Sequence, residues 1–223
     1  MSSPSEGAPL GRIVPPVAAG VEIAAESADV GARALSVAAR LLAGATTFFF
    51  LAFLFAYFYL RSINVEHMWR PSHVKVDQPL GVAFIAAVVV SVALAIVSGR
   101  QMKRESRTWV GPAVGALAFG VIAVILQCIE YTAQKFGPTD GAFASVFSAW
   151  TGFYLIATLA TMYWLETQVA TELRARRSPA GSNVGGDIED PDRLIAPGLD
   201  ATVFYWTFLG AIGVITYVTL YLL

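Results

Sequence analysis

Five long apolar stretches dominate this sequence and restrict what it can fold into. Each holds about 20 residues, the length of helix that spans the ~30 Å hydrocarbon core of a bilayer. A helix satisfies all of its own backbone hydrogen bonds in lipid, so each stretch predicts one membrane-spanning helix. The stretches run from Leu41 to Leu60, Pro79 to Ser98, Trp109 to Ile129, Phe143 to Leu165 and Ala201 to Leu223.

The fold class follows directly from these stretches. We predict an all-α integral membrane protein whose transmembrane domain, residues 35–223, is a five-helix bundle. The helices are expected at about 35–61, 79–100, 109–131, 141–175 and 201–223.

Two segments outside the helices are too polar to pack a core. Residues 1–34 lack the basic start and apolar centre of a signal peptide and are expected to form a disordered cytoplasmic tail. Residues 178–197 are rich in Pro, Gly and Asp and are expected to form a flexible cytoplasmic linker.

Lysine and arginine predict the orientation, because basic loops tend to stay in the cytoplasm. Most of them fall on the side of the N-terminus, which we therefore place in the cytoplasm, with the C-terminus outside or in the periplasm. The richer side holds Arg12, Arg33, Arg40, Arg100, Lys103, Arg104, Arg107, Arg174, Arg176, Arg177 and Arg193. The poorer side holds Arg61, Arg70, Lys75 and Lys135. A bacterial cytoplasmic (inner) membrane is the expected location.

Composition excludes some classes of function. A formal net charge of -1 provides no basic field for nucleic acid. The helix centres carry no ionisable side chain, so we expect no catalytic, cofactor-binding or metal-binding residue in this chain. His67 and His73 lie together in one loop, with Glu66 and Asp77 as the nearby candidate ligands, and are interpreted as solvated or interface residues. The single cysteine, Cys128, is expected to be a packed thiol.

The third helix carries the main candidate residues. Gln127, Glu130 and Tyr131 fall within one turn at its outer end. Glu130 is interpreted either as a structural group at the helix end or as part of a functional surface. Gly111 and Gly115 have the GxxxG spacing that lets a neighbouring helix approach closely, and they are candidate contact residues.

Four helices carry local motifs. The first helix ends Ala56-Tyr57-Phe58-Tyr59-Leu60-Arg61, and the third ends Leu126-Gln127-Cys128-Ile129-Glu130-Tyr131. The fourth holds Thr151-Gly152-Phe153 and the fifth Tyr205-Trp206. In their order, these segments resemble the cytochrome c oxidase subunit III family in a divergent five-helix form, which reads AYFYLR, LQxxEY, TGF and YW at these places.

The chain also departs from the family at polar positions within the membrane. A glutamate of the first helix falls at Thr46, and two histidines of the fourth fall at Tyr154 and Ala157. A histidine and an aspartate of the last helix fall at Thr207 and Gly210.

The resemblance implies an accessory, non-redox subunit of a proton-translocating haem-copper terminal oxidase that takes electrons from cytochrome c or quinol. It implies packing against subunits I and II, which would hold the haem and copper, with bound phospholipid and support for proton uptake or oxygen access. Arg61 and Trp206 join Gln127, Glu130, Tyr131, Gly111 and Gly115 as candidate lipid or subunit contacts.

Two alternatives remain open at this point. One is a subunit III-like component of a nitric oxide reductase or another respiratory complex. The other is a small transporter or lipid-handling membrane protein that works alone.

Overall fold

The protein is described by a computed structural model that defines residues 28–63, 69–104, 107–177 and 192–223. Within these ranges every regular element is a helix, and there is no strand. The helices are α1 (Ala28–Ser62), α2 (Gln78–Lys103), α3 (Val110–Ala133), α4 (Ala142–Arg177) and α5 (Asp192–Tyr217). A 3-10 turn, Arg107–Trp109, precedes α3, and a π-helical turn, Val218–Leu222, follows α5.

All five helices are long and apolar enough to cross a membrane. This confirms the predicted all-helical, multi-pass membrane protein. The helices alternate in direction, so the bundle has two ends. We call the end that holds Ser62, Gln78, Ala133, Ala142 and Leu222 the glutamate end. The opposite end, which holds the start of α1 and the last residues of α4, is the arginine end.

Two predicted segment limits are wrong. Residues 28–34, expected in a disordered tail, belong to α1, because this segment is rich in alanine and favours helix. Residues 192–197, expected in a flexible linker, belong to α5. There Ile195 and the fully buried Leu199 pack in one apolar cluster with residues of α4, and this packing prevails over local polarity. Residues 1–27 and 178–191 lie outside the described residues.

Helix α5 is the centre of the bundle. Side-chain hydrogen bonds join it, or the π-turn that continues it, to each of the other four helices. Tyr205 of α5 bonds to Thr46 of α1. Thr202 bonds to Gln168 of α4, and Thr216 bonds to Trp150 of α4. Tyr221 of the π-turn bonds to Gln78 of α2 and to Glu130 of α3. Because lipid provides no competing water, such bonds and close packing hold transmembrane helices together.

Helices α2 and α3 pack closely through small residues. Ala113 and Ala116 are fully buried, and the Ser91 hydroxyl donates a hydrogen bond of 2.7 Å to the Ala116 carbonyl. Ser98 donates a similar bond of 3.0 Å to the Trp109 carbonyl. These contacts between one helix and the backbone of the next require a small separation of the helix axes.

Aromatic side chains fill the glutamate half of the interior. Phe50 of α1 lies between Trp150 and Tyr154 of α4, with ring centroids 6.3 Å and 6.1 Å apart. Phe143 and Phe147 continue this cluster along α4 to the glutamate end. Edge and tilted ring contacts of this kind add to the dispersion energy of the core.

Candidate functional site

A cluster of polar side chains, buried except for the exposed Gln78, lies at the glutamate end, where α2, α3 and the π-turn meet. Gln127 and Glu130 are one helical turn apart on α3, and each is only 1% exposed. We call Gln78, Gln127, Glu130 and Tyr221 the Glu130 cluster. Burying a carboxyl group is unfavourable unless its oxygens accept hydrogen bonds, so the partners of Glu130 determine whether this arrangement is stable.

The Glu130 carboxyl group accepts hydrogen bonds from two residues. The Tyr221 hydroxyl donates to it, with oxygen–oxygen distances of 2.7 Å to Oε1 and 2.6 Å to Oε2. The Gln127 amide donates to Oε2 over 3.0 Å. Gln78 of α2 donates to the backbone carbonyl of Tyr221. The Glu130 carboxyl therefore connects α3 to the π-turn, and Gln78 connects the π-turn to α2.

The π-turn brings Tyr221 into this position. The Leu223 amide donates to the Val218 carbonyl, a bond across five residues instead of the four of an α-helix. The Tyr221 ring then lies against Gly81 of α2, and a Cβ atom at Gly81 would overlap the ring. The ring also meets Phe147 edge-on at 5.8 Å between centroids. Tyr221 thus depends on both the turn and the missing side chain of Gly81.

Tyr131, the next residue on α3, makes a separate connection. Its hydroxyl donates to Thr151 Oγ1 on α4 over 2.8 Å, and Thr151 donates in turn to the Phe147 carbonyl over 2.6 Å. The three candidates Gln127, Glu130 and Tyr131 therefore lie together but contact two different helices. Gln127 and Glu130 face the end of α5, and Tyr131 faces α4.

The chemistry of this cluster is that of an anchor. Its groups are one carboxyl, two amides and one phenol, and each of the bonds described joins two of them or ends on the backbone. In the ranges that the structure defines, no three His, Cys, Asp or Glu side chains come together as a metal site would require. The Glu130 carboxyl also lies within ion-pair distance of no cationic side chain in those ranges.

Arg61 and Trp206 lie away from this cluster. Arg61 is exposed at the end of α1, and its Nη1 is 3.4 Å from the Tyr57 hydroxyl. Trp206 is buried in the arginine half of the bundle, in the same apolar cluster as Trp109 and Leu165. Their assignment as lipid or subunit contacts stays a prediction.

The two glycines of the GxxxG motif differ in their surroundings. A Cβ atom on Gly115 would lie 3.2 Å from Leu94 Cδ1 on α2, so this glycine does lie at a helix contact. A Cβ atom on Gly111 would meet nothing within 4 Å. The α2–α3 contact also uses the fully buried Ala113 and Ala116 and the hydrogen bonds of Ser91 and Ser98. A role for Gly111 in binding another subunit stays a prediction.

Other residues singled out in the sequence have simpler environments. His73 is exposed, and Asp77 caps α2 by accepting a 3.2 Å hydrogen bond from the Leu80 amide. Glu66 and His67 lie outside the described residues. Cys128 is exposed on the surface of α3, so the prediction of a packed thiol is wrong. Its position on the helix, next to the inward-facing Gln127, turns it away from the bundle.

Sequence reasoning missed Tyr221, the main partner of Glu130. The two residues are 91 positions apart in the sequence. The π-turn also changes the direction in which Tyr221 points around the helix axis, so the spacing of a regular α-helix does not predict it. It also missed Thr46 and Tyr205, whose hydroxyls are 2.8 Å apart between α1 and α5. The available signal was the departure from the family at Thr46, since a buried hydroxyl requires a new partner.

Comparison with known proteins gives consistent matches. The family model described as cytochrome c oxidase subunit III matches residues 19–178. The probable cytochrome c oxidase subunit 3 of Rickettsia prowazekii (strain Madrid E) is 24% identical over 162 residues, 71% of this chain and 54% of that protein. Cytochrome c oxidase subunit 3 of Pylaiella littoralis is 35% identical over 118 residues, 48% of this chain and 41% of that protein.

Another relative matches over a longer stretch. Cytochrome c oxidase subunit 3 of Pyricularia grisea is 23% identical over 216 residues, 90% of this chain and 74% of that protein. Against the first two relatives, the chain spans about half of their length.

Proposed function

Because the chain belongs to the cytochrome c oxidase subunit III family, we propose that it is an accessory, non-redox subunit of a haem-copper terminal oxidase in aerobic respiration. In this role it stabilises the catalytic subunit and supports proton uptake or oxygen access to it. The chain itself carries out no redox step.

The Glu130 cluster is the structural observation that supports this proposal. The motif that resembles the family's LQxxEY ends in a carboxyl group that is 1% exposed and bonded to Tyr221 and Gln127. A carboxyl group with these partners fixes the relative positions of helices. Rigid helices are what a subunit needs to present a constant surface to a larger partner.

We propose that subunits I and II of the complex hold the haem and copper. The polar side chains buried between helices here are mainly hydroxyls and amides, and these are poor ligands for both. The histidine positions that the family resemblance places in α4 are occupied by Tyr154 and Ala157. Tyr154 instead donates a 3.1 Å hydrogen bond to the Leu209 carbonyl of α5.

Purification of the tagged chain from its native membranes in a mild detergent tests the proposal. We expect a haem-bearing large subunit to co-purify, visible in the absorption spectrum and by mass spectrometry of the intact complex. Recovery of the chain without any haem-bearing partner would contradict it. Turnover of the purified complex with oxygen and with nitric oxide then separates a terminal oxidase from a nitric oxide reductase.

We also propose that the chain binds phospholipid at the arginine end. A cavity of about 330 Å³ lies between α1 and α5, lined by Arg33, Ser36, Arg40 and Phe204 among others. Arginine pairs well with phosphate, and the apolar neighbours suit an acyl chain. Native mass spectrometry should show a bound phospholipid that is lost from the double variant R33Q/R40Q and retained in R174Q/R177Q, which lies at the same end.

The orientation forms part of the proposal. We place the arginine end in the cytoplasm and the glutamate end outside, in a bacterial inner membrane, because the basic residues cluster at the arginine end. A reporter enzyme that is active only outside the cytoplasm should be active when fused after Leu223. Activity only when it is fused within residues 178–191 would reverse the orientation.

A further inference from the structure

Residues 69–77, which precede α2, fold back over the glutamate end of the bundle. The Phe143 amide, at the start of α4, donates a 3.0 Å hydrogen bond to the Trp69 carbonyl. Val74 is 1% exposed, and its amide donates a 2.9 Å bond to the Pro71 carbonyl. Residues 69–77 therefore form an ordered cap whose backbone is attached to the helices below it.

Arg70 is held in place within this cap. Its Nε donates a 3.1 Å hydrogen bond to the Val74 carbonyl, and its guanidinium carbon lies 4.5 Å from the centroid of the Phe143 ring. The side chain is nevertheless exposed. Its Nη1 and Nη2 groups donate to no acceptor within the described ranges. They form a planar pair of donors whose orientation is already fixed.

The ring beneath Arg70 belongs to the interior. Phe143 is 1% exposed and packs against Tyr57, Trp69 and Phe147, with centroid distances of 6.4, 5.7 and 5.9 Å. The Arg70 guanidinium therefore covers the end of the bundle core and not its lipid-facing perimeter. A group that binds Nη1 and Nη2 approaches from the aqueous side, where a protein segment has better access than a lipid headgroup.

The charges around Arg70 favour an acidic partner. Lys75 and Lys135 are exposed at the same end of the bundle. The two aspartates there are directed to backbone amides: Asp77 accepts from Leu80, and Asp140 accepts a 2.7 Å bond from Gly137. Arg70, Lys75 and Lys135 are thus exposed at this end, while Asp77 and Asp140 accept hydrogen bonds from backbone amides.

We propose that Arg70 is a docking point for a carboxylate on the extramembrane segment of a partner subunit. The inference rests on the proposed function, because it names the chemistry of one contact within that complex. The fork of Nη1 and Nη2 fits both oxygens of an Asp or Glu side chain. Arginine is enriched among the few residues that dominate the binding energy of an interface.

Co-purification at increasing salt concentration tests the proposal. The variants R70Q and R70K are compared with K135Q, which removes an exposed charge at the same end without removing a fixed fork. For R70Q we expect the ratio of bound to free partner to fall about tenfold or more, the size expected from losing a charge-assisted hydrogen bond. R70K should fall between R70Q and the wild type, and K135Q should match the wild type. Equal retention of the partner in R70Q and the wild type would overturn the proposal.

A second measurement covers the case in which R70Q misfolds. A photo-crosslinking amino acid replaces the exposed His73 in the otherwise native chain, and the products from the intact complex are sequenced. A crosslink to a segment of a partner subunit that contains Asp or Glu supports the proposal. Crosslinks only to lipid, or none, overturn it. If the wild-type chain retains no haem-bearing partner at all, the proposed function itself fails, and this result is distinguishable from a defect confined to R70Q.

Discussion

Helices α1 and α5 are both about as apolar as a membrane span requires, yet they hold opposite positions in the bundle. In the most apolar segment of α5, 50% of the residues are buried inside the bundle. In the most apolar segment of α1, 22% of the residues are buried. Together with the π-turn, α5 makes side-chain hydrogen bonds to each of the other four helices. Among the described residues, α1 makes one side-chain hydrogen bond to another helix, between Thr46 and Tyr205. Hydropathy alone does not distinguish a central helix from a peripheral one.

The difference lies in which residues face inward. α5 has glycines where neighbours press on it: a Cβ atom on Gly210 would be 2.5 Å from Val92 Cγ2, and one on Gly213 would be 2.5 Å from the Tyr154 hydroxyl. α1 exposes large aromatic residues instead, with Phe48 76% and Phe55 69% exposed. Small residues and hydroxyls mark a helix surrounded by protein, and outward aromatics mark one that meets lipid or a partner.

The largest effect is expected where α5 and its π-turn meet α2. G81L would force a side chain into the Tyr221 ring and separate Tyr221 from Glu130. Overpacking of this kind costs about 1–3 kcal/mol, and the loss of the hydrogen bonds adds to that. The matched control is G44L on α1, where a Cβ atom meets nothing within 4 Å. Unfolding measured in mixed detergent micelles should show a large decrease in the free energy of unfolding for G81L and almost none for G44L.

Removal of the Glu130 carboxyl should have the next largest effect. E130A leaves the Tyr221 hydroxyl and the Gln127 amide without their acceptor, at about 1–3 kcal/mol for each buried donor. E130Q keeps an acceptor oxygen and should lower stability by about 1 kcal/mol. In an assembled complex, E130Q should leave the haem spectrum unchanged. A haem signal lost from an intact E130Q complex would refute the role of an anchor.

The bond between α1 and α5 should contribute less. T46V removes the 2.8 Å contact with Tyr205, and hydrogen bonds between transmembrane helices are worth about 0.6 kcal/mol on average. T47V is the control, because Thr47 donates to the Ala43 carbonyl of its own helix. A double-mutant cycle of T46V with Y205F measures the coupling. A coupling energy of zero would mean that α1 is attached by its aromatic packing alone.

The smallest effect on the isolated chain is expected on the exposed face of α1. F55A should change the free energy of unfolding by about 0.5 kcal/mol or less, as for surface positions in general. F50A, which removes a ring that is 4% exposed, should cost about 3–5 kcal/mol and serves as the contrast. If F55A instead releases partner subunits from the complex, this face of α1 meets protein and not lipid.

The sequence was sufficient to find the membrane spans, because each is a long uncharged run between charged residues. It also identified Glu130 with Gln127, since an i, i+3 pair of polar residues at a helix end must share one face. It was insufficient where the outcome depends on tertiary contact. Asp192 starts α5 because Ile195 and Leu199 find an apolar site beside α4, and no local pattern at residues 192–197 shows that site.

The π-turn at Val218–Leu222 has a consequence for how this part of the chain can vary. Each residue of an α-helix turns the chain by about 100°. Deleting a single residue between Val218 and Tyr221 would therefore rotate the phenol away from the carboxyl and leave the composition almost unaltered. An insertion or deletion at this position changes the direction in which Tyr221 points around the helix axis. The length of the segment is therefore constrained more tightly than the identity of its apolar residues.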